Sequence, residues 1–324
     1  MKAVQCVAFG APEDLIVADV PLPEPGPGEL RVRVHAAAVN YPDGLIVQGL
    51  YQHKPALPFV PGLEAAGVID AVGPGCSGFA PGERVAAMAP VGAYAEAMIV
   101  PAEKVVKLDD AMSFVDGAAF CTTYGTAYHA LVQRGRLAAR ETLLVLGAAG
   151  GVGLAAVQIG KALGARVIAA ASTPGKLALA EVMGADALID YSVEDLRERV
   201  KEITEGRGVD VVYDPLGDRF AEPAMRSLAW DGRYLVVGFA AGEIPRLPTN
   251  ILLLKNAAIL GVFYGEWARR EPAANRDNLA ALFRLYREAD LRPHIDRTFA
   301  LDDAGTAIRF LLDRKVMGKV VLTM

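Results

Sequence analysis

The stretch Thr142-Leu143-Leu144-Val145-Leu146-Gly147-Ala148-Ala149-Gly150-Gly151-Val152-Gly153 decides the fold of this chain. It is an apolar strand that runs into glycines, and an apolar helical stretch, residues 154–163, follows at once. A turn between a strand and a helix presents unpaired backbone N–H groups and the positive end of the helix dipole to a phosphate. Glycine lets the backbone approach that phosphate closely. The alternative is a tight turn without a ligand. The predicted pyrophosphate contacts are Ala149, Gly150, Gly151, Val152 and Gly153.

Five further apolar runs of strand length follow, and they alternate with Ala- and Leu-rich helical stretches. This alternation is typical of a parallel sheet that is covered by helices on both faces. Six strands match the doubly wound dinucleotide-binding fold, so residues 117–265 are predicted to form an α/β Rossmann domain. The predicted strands are residues 142–146, 166–171, 187–190, 209–213, 234–237 and 259–263.

The segments on either side of this domain have a different texture. Residues 1–116 are rich in Gly, Pro and Val, with short alternating runs such as Leu30-Arg31-Val32-Arg33-Val34-His35. Such runs between turn clusters predict a mostly β, barrel-like domain. Residues 266–324 begin as a helical stretch and end in Gly318-Lys319-Val320-Val321-Leu322, a strand that needs partners outside the parallel sheet. We expect this tail to rejoin the first domain.

Composition excludes several classes of function. The net charge is −5 and the basic residues are scattered, so no electropositive stripe is available for nucleic acid. Charged residues interrupt every apolar run before the roughly 18 residues that a membrane span needs. The first residues lack the pattern of a signal peptide, which favours a cytoplasmic protein. Three widely spaced cysteines, Cys6, Cys76 and Cys121, predict neither disulfides nor a Cys-x-x-Cys metal site.

The preference for one nicotinamide cofactor can be predicted from a missing acid. NAD sites usually carry Asp or Glu about 20 residues past the glycines, where it holds the ribose hydroxyls. No acid occurs here between Gly153 and Glu181. Lys176 and Ser172 follow the second strand and could bind a 2′-phosphate, with Tyr191 on the same rim. We therefore expect NADPH. The alternatives are a solvated lysine at Lys176 and an ordinary strand-end aromatic at Tyr191.

Several spaced motifs together resemble one family along essentially the whole chain. The family is the zeta-crystallin-like quinone oxidoreductase branch of the medium-chain dehydrogenase/reductase superfamily, which implies a GroES-like fold for the first domain. The motifs are Val39-Asn40-Tyr41-Pro42-Asp43 with Gln48-Gly49-Leu50-Tyr51, Pro61-Gly62-Leu63-Glu64-Ala65-Ala66-Gly67, Pro81-Gly82-Glu83-Arg84-Val85 and Ala148-Ala149-Gly150-Gly151-Val152-Gly153.

The same resemblance implies a site without metal. In zinc-dependent relatives the metal is held by a Cys, a His and a second Cys, and these positions align here with Asn40, Leu63 and Thr122. Cys121 lies one position out of register, and the four-cysteine structural-zinc lobe is absent after Val85. A tetrahedral zinc site needs three or four N or S ligands, so we expect a zinc-independent enzyme.

The resemblance also indicates where the nicotinamide ring would lie. It implies contacts with Asn40, Asp43, Tyr51, Thr126 and the segment Gly261-Val262-Phe263-Tyr264, flanked by Gly238 and Phe239. Asn40 and Tyr51 are neutral donors suited to an oxygen that gains charge in the reaction. Alternatives remain at each position: a turn residue at Asn40, a packed aromatic at Tyr51, and a partner of loop backbone at Asp43.

The leading prediction is therefore an NADPH-dependent quinone oxidoreductase that transfers hydride without zinc. Relatives with a similar pattern reduce the C=C bond of α,β-unsaturated carbonyls or enoyl thioesters. For that alternative, Arg269, Arg270 and Arg276 could bind the phosphates of an acyl-CoA. A non-catalytic NADPH-binding protein is the alternative of another class. The resemblance and the apolar residues 251–262 favour a homodimer formed through the nucleotide-binding domain.

Overall fold

The computed structural model describes residues 1–324 and contains fifteen strands and ten α-helices, with short 3₁₀ turns and one π-helical segment, His129–Arg134. The strands are β1 (Lys2–Gln5), β2 (Ile16–Asp19), β3 (Glu29–Val39), β4 (Glu64–Val72), β5 (Arg84–Met88), β6 (Ala97–Pro101), β7 (Val105–Lys107), β8 (Thr142–Leu146), β9 (Arg166–Ala171), β10 (Ala187–Asp190), β11 (Val209–Asp214), β12 (Leu228–Val236), β13 (Ala258–Gly261), β14 (Ile295–Ala300) and β15 (Lys319–Thr323). The helices are α1 (Tyr41–Val47), α2 (Phe114–Tyr128), α3 (Gly151–Ala162), α4 (Pro174–Val182), α5 (Leu196–Ile203), α6 (Ala221–Arg226), α7 (Asn250–Lys255), α8 (Tyr264–Arg270), α9 (Pro272–Glu288) and α10 (Ala304–Leu312).

The chain divides into two compact units, one of Met1–Thr122 with Pro293–Met324 and one of Thr123–Arg292. The first boundary therefore lies within α2 rather than at residue 116, and the second lies after α9 rather than at residue 265. Helices α8 and α9 belong to the second unit because their side chains bond within it. The Tyr264 hydroxyl donates to Asn275 Oδ1 at 2.9 Å, and Gln133 Nε2 donates to Asn278 Oδ1 at 2.6 Å.

The second unit is built on a six-stranded parallel sheet with the order β10-β9-β8-β11-β12-β13. Counted along the chain this order is 3-2-1-4-5-6, so the predicted doubly wound α/β fold is confirmed. Strand β12 begins earlier than the predicted residue 234, because Leu228 already pairs with Val209 ahead of a register shift. Asp231, at φ 60°, lies in this irregular stretch. The polar residues beside it interrupt the apolar run, so the sequence does not predict a strand there.

The middle of this sheet is buried on both faces. Every residue of β8 and β11 is buried, and Leu144, Ile168 and Val212 are fully enclosed in one apolar cluster. Burying a side chain of this size contributes roughly 1.5–3 kcal/mol. The carboxyl end of β8, where the glycines begin, is therefore held on a rigid support.

The first unit contains the mostly β part of the fold. A small antiparallel pair, β1 with β2, accompanies a seven-stranded sheet with the order β14-β15-β3-β4-β5-β7, and β6 also pairs with β3. Its core includes Leu30, Val32, Ile69 and Val320, all fully buried. Strand β15 pairs antiparallel with β3, so the end of the chain lies in this unit. No helix in either unit has the length and apolar character that crossing a membrane requires.

Candidate active site

Three polar side chains meet where strands β3, β4 and β15 lie side by side. Val39 is opposite Val320, and Ala38 is opposite Glu64, so this register brings Asn40, Glu64 and Lys319 together. Gly318, which precedes Lys319, has φ +83°, and a Cβ at this position would lie 2.2 Å from the backbone oxygen of His294. Only glycine fits this approach, which fixes the start of β15.

Charged hydrogen bonds join this cluster. Lys319 Nζ donates to Asn40 Oδ1 at 2.6 Å, to Val39 O at 3.2 Å and to Glu64 Oε1 at 3.3 Å. Asn40 Nδ2 donates to Glu64 Oε1 at 2.9 Å, and the Thr122 backbone N–H donates to Glu64 Oε2 at 2.9 Å. Asn40, Glu64 and Lys319 are only 6%, 1% and 4% exposed. The two charges are therefore buried, and they compensate each other.

A second buried group, Asp43, lies beside the first. Its Oδ2 accepts the Asn40 backbone N–H at 2.7 Å and the Tyr94 hydroxyl at 2.9 Å, whereas its Oδ1 is buried without a partner. Burial raises the pKa of the Asp43 carboxyl to about 7, although both hydrogen bonds lower it. Asp43 thus bonds to the backbone at the start of α1.

Tyr51 lies in the same region. Its ring packs against a buried cluster that includes Cys6, Ile46 and Phe59. Burial, and then the charge of Asp43, raises the pKa of the Tyr51 hydroxyl. The hydroxyl is therefore protonated at neutral pH and can donate a hydrogen bond.

The positions that the resemblance aligns with zinc ligands have the following surroundings. Asn40 and the Thr122 backbone both bond to Glu64, and Leu63 packs against the apolar cluster beside Tyr51. Burial and the charge of Glu64 raise the pKa of the buried Cys121 thiol, which disfavours the thiolate that zinc binds. No group of three or more His, Cys, Asp or Glu side chains is arranged to hold a metal ion.

The glycine turn of the second unit has the form that a pyrophosphate needs. Gly147 has φ +58°, and a Cβ at Gly153 would lie 2.3 Å from the Gly147 carbonyl oxygen. Helix α3 begins at Gly151, and its N-cap Gly150 has no side chain to occupy the first backbone N–H groups. The predicted residues Ala149–Gly153 therefore surround an open helix N-terminus that fits a dinucleotide phosphate.

The predicted 2′-phosphate residues cluster at the end of β9. Ser172 follows the strand, and Lys176 lies in the first turn of α4 with its backbone N–H near the Thr173 hydroxyl. The Tyr191 backbone N–H donates to Ala171 O at 3.1 Å, which brings Tyr191 to the same strand end. Its ring contacts Phe220, with centroids 4.4 Å apart.

The remaining predicted cofactor contacts have different environments within the second unit. Gly238 and Phe239 follow β12, and Phe239 is 36% exposed near Gly217. Phe263 is 58% exposed, and Thr126 is half-buried on α2. Tyr264 is buried and its hydroxyl donates to Asn275, so that hydroxyl is used inside the unit.

Comparison with known proteins places the chain in a family. The protein-family model described as alcohol dehydrogenase GroES-like domain matches residues 26–110. The family model described as zinc-binding dehydrogenase matches residues 151–279. A quinone oxidoreductase of Pseudomonas aeruginosa is 38% identical over 99% of both chains. The crystal structure of Escherichia coli quinone oxidoreductase complexed with NADPH has a TM-score of 0.92 at 31% identity and covers all of both chains. The chain belongs to the quinone oxidoreductase family of the medium-chain dehydrogenase/reductase superfamily.

Another relative extends this family to animals. The quinone oxidoreductase-like protein 2 homolog of Nematostella vectensis is 37% identical over 99% of this chain and 88% of its own length. The predicted family is thereby confirmed, as is its combination of a GroES-like and a Rossmann domain.

Sequence reasoning missed two residues of this polar cluster, Glu64 and Lys319. Both residues lie within the sequence stretches given above, but neither is among the predicted site residues. The available signal was a lone charge within an apolar strand, in Gly62-Leu63-Glu64-Ala65-Ala66-Gly67 and in Gly318-Lys319-Val320-Val321-Leu322. Because a buried charge needs a partner, two lone charges of opposite sign in buried strands predict a pair.

Proposed function

We propose that this protein reduces quinones by hydride transfer from NADPH and works without zinc. The observation that carries the proposal is the Asn40 amide, which is bonded to Glu64 and Lys319 at the position that the resemblance aligns with a zinc ligand. A neutral amide supplies a hydrogen-bond donor where a metal would supply a Lewis acid. Two relatives named quinone oxidoreductase are 38% and 35% identical to this chain, which supports this substrate class.

NADPH would be held by the second unit. The open N-terminus of α3 receives the pyrophosphate, and Lys176 with Ser172 receives the 2′-phosphate, with Tyr191 beside them. Thr126, Gly238, Phe239, Phe263 and Tyr264 complete the proposed cofactor contacts. Bound NADPH supplies the hydride, and the similar Escherichia coli protein was solved with this cofactor.

The first unit would supply the groups that stabilise charge. An amide has two N–H donors, and only one of those on Asn40 Nδ2 is bonded to Glu64. The second N–H and the Tyr51 hydroxyl donate to the quinone oxygen that gains charge. Asp43 acts indirectly, since its carboxyl holds the Asn40 backbone N–H.

The experiment compares NADPH oxidation with a para-quinone, an enone and an enoyl thioester. We expect the quinone to be preferred, and we expect Asn40→Ala and Tyr51→Phe to lower kcat more than they weaken NADPH binding. Removing a central oxyanion donor costs on the order of 10²-fold in kcat. Tyr51→Phe keeps the ring and removes only the hydroxyl, so it is the cleaner variant.

Each of the alternatives corresponds to a different result. Turnover of the enone or the thioester alone would replace the quinone proposal, and binding of NADPH without turnover of any acceptor would indicate a non-catalytic protein. The basic residues considered for an acyl-CoA give the thioester no particular support, because Arg269 and Arg270 both bond to Glu266 on their own helix.

We further propose a homodimer formed by the second unit. Strand β13 is the last strand of the parallel sheet, so one of its edges has no partner strand. Ile259 on that strand is 40% exposed, and Leu253 and Leu254 on the neighbouring α7 are 81% and 71% exposed. An apolar edge of this kind is suited to pair with a second copy of itself.

A further inference from the structure

The Asn40 side chain is held between two opposite charges. Lys319 Nζ contacts its carbonyl oxygen at 2.6 Å, and a Glu64 carboxylate oxygen accepts from its amide nitrogen at 2.9 Å. An ammonium can only donate and a carboxylate can only accept. Rotating the amide by half a turn would place its oxygen against the carboxylate and its N–H groups against the ammonium. Only one orientation of the amide therefore satisfies both neighbours.

The two charged residues are themselves fixed. The three N–H groups of Lys319 are matched by three acceptors, on Val39, Asn40 and Glu64. The second carboxylate oxygen of Glu64 accepts the Thr122 backbone N–H. The pair therefore bonds to the backbone at the end of β3 and within α2, and it cannot turn without breaking several charged hydrogen bonds.

Stability alone is a weak reason for this arrangement. Two buried charges lose their hydration, and apolar side chains of similar size often stabilise a fold as well or better. The pair is joined across 255 positions of sequence, and both residues bond to the same side chain, Asn40. The feature that all these contacts share is the orientation of one amide.

We propose that Glu64 and Lys319 are positioning residues for the reaction, because they hold the Asn40 amide so that its uncommitted N–H faces the acceptor's oxygen. The inference rests on the proposed donor role of Asn40. The two residues act through Asn40 and not by contact with the substrate or cofactor.

The test is a double-mutant cycle on kcat with a para-quinone, using Lys319→Met, Asn40→Ala and the combination. We expect Lys319→Met to lower kcat by at least about tenfold, a part of the 10²-fold expected when the donor itself is lost. In the Asn40→Ala background the same substitution should change kcat by less than about twofold, since no amide is left to orient. NADPH affinity should stay within about twofold of wild type in each variant, because the interaction that is lost is made only in the transition state.

Two further variants separate positioning from damage to the fold. Lys319→Met leaves the Glu64 carboxylate without its counter-ion, so Glu64→Gln/Lys319→Met, which removes both charges, is measured beside it and should show the same loss of kcat. The control is Lys161→Met, which removes the lysine of a more exposed ion pair. Lys161 pairs at 2.6 Å with Asp186, whose carboxylate also accepts a backbone N–H, from Val167, in the second unit. The Lys161→Met variant should keep the wild-type kcat.

The outcomes are distinguishable. Equal losses from Lys319→Met in both backgrounds, wild-type kcat in the two Lys319 variants, or a similar loss in Lys161→Met would overturn the positioning role and leave the role of Asn40 intact. Wild-type kcat in Asn40→Ala would instead refute the proposed donor, and this inference would fail with it.

Discussion

The buried carboxyl of Asp43 should make the stability of this protein depend on pH. Burial raises the pKa of this carboxyl to about 7, from an ordinary value of 3.8. The folded state therefore retains the Asp43 proton over a pH range in which the unfolded chain has released it. The stability from this group is fully present below the unfolded pKa and is lost as pH rises toward 7.

The magnitude follows from the two pKa values. Between them the folded state holds one more proton than the unfolded chain, so the free energy of unfolding falls by about 1.4 kcal/mol for each pH unit. Between about pH 5 and pH 6.5 the loss amounts to about 2 kcal/mol, and above pH 7 it levels off. For a domain of roughly 150–250 residues, a change of about 2 kcal/mol in the free energy of unfolding corresponds to a shift in Tm of roughly 4–8 °C.

The variant that tests this is Asp43→Asn, which cannot ionise. Its amide oxygen can accept from the Asn40 backbone and from Tyr94 as the carboxylate does, while its nitrogen takes the place of the partnerless Oδ1. An unsatisfied buried N–H costs about 1–3 kcal/mol, but this cost does not vary with pH. The readout is therefore the change with pH in the difference between the two proteins.

We expect the Tm of Asp43→Asn, relative to wild type, to rise by several degrees between about pH 5 and pH 6.5. Asp19→Asn provides the control, because it makes the same substitution at an exposed position of the same unit. A difference for Asp43→Asn that is constant over this range would show that the carboxyl is ionised throughout. That result, or a difference that moves in the opposite direction, would refute the reasoning.

The remaining predictions concern cofactor, metal and assembly. NADPH should bind at least about tenfold more tightly than NADH, which is about 1.4 kcal/mol, and Lys176→Ala should remove most of that preference in cofactor titrations; equal affinities in wild type would contradict it. Ser172→Asp should shift the preference toward NADH, because an acid at the end of β9 repels the 2′-phosphate and accepts the ribose hydroxyls. Elemental analysis should find no stoichiometric zinc and chelators should leave turnover intact, whereas one zinc per chain lost together with activity would reject the zinc-free mechanism. Ile259→Lys should convert dimer to monomer in sedimentation, and the equally apolar, exposed Ile244→Lys should not.

Much of the second unit could be predicted because its signals are local. The strands β8, β9 and β10 have the predicted limits, since each is a short apolar run between turn residues. The sequence predicts a shorter β12, because a strand with a bulge loses its regular pattern. The boundaries of the two units differ from the predicted ones for another reason. Helices α8 and α9 are held in the second unit by side-chain hydrogen bonds such as that between Gln133 and Asn278, which are 145 positions apart in the sequence.

The candidate site was only partly accessible from the sequence, and Asn40-Tyr41-Pro42-Asp43 shows why. Asp43 accepts the Asn40 backbone N–H and Pro42 lies in the first turn of α1, so the spacing of this motif is explained by the start of a helix. The Asn40 amide makes no contact of that kind, since its partners lie 24 and 279 positions away. A motif that satisfies a local requirement gives no sign of the long-range bonds of its side chain.

The long-range bonds of the Asn40 side chain bear directly on the proposed zinc-free mechanism. A thiolate or an imidazole that binds zinc is held by a direct bond to the metal as well as by its neighbours. An amide at the same position has no metal to orient it, and its two ends are similar in shape, so its direction must come from its neighbours. Glu64 and Lys319 supply that direction because one can only accept and the other can only donate. In the proposed mechanism the Asn40 amide is therefore chemically useful only together with this buried pair, and the double-mutant cycle measures that dependence.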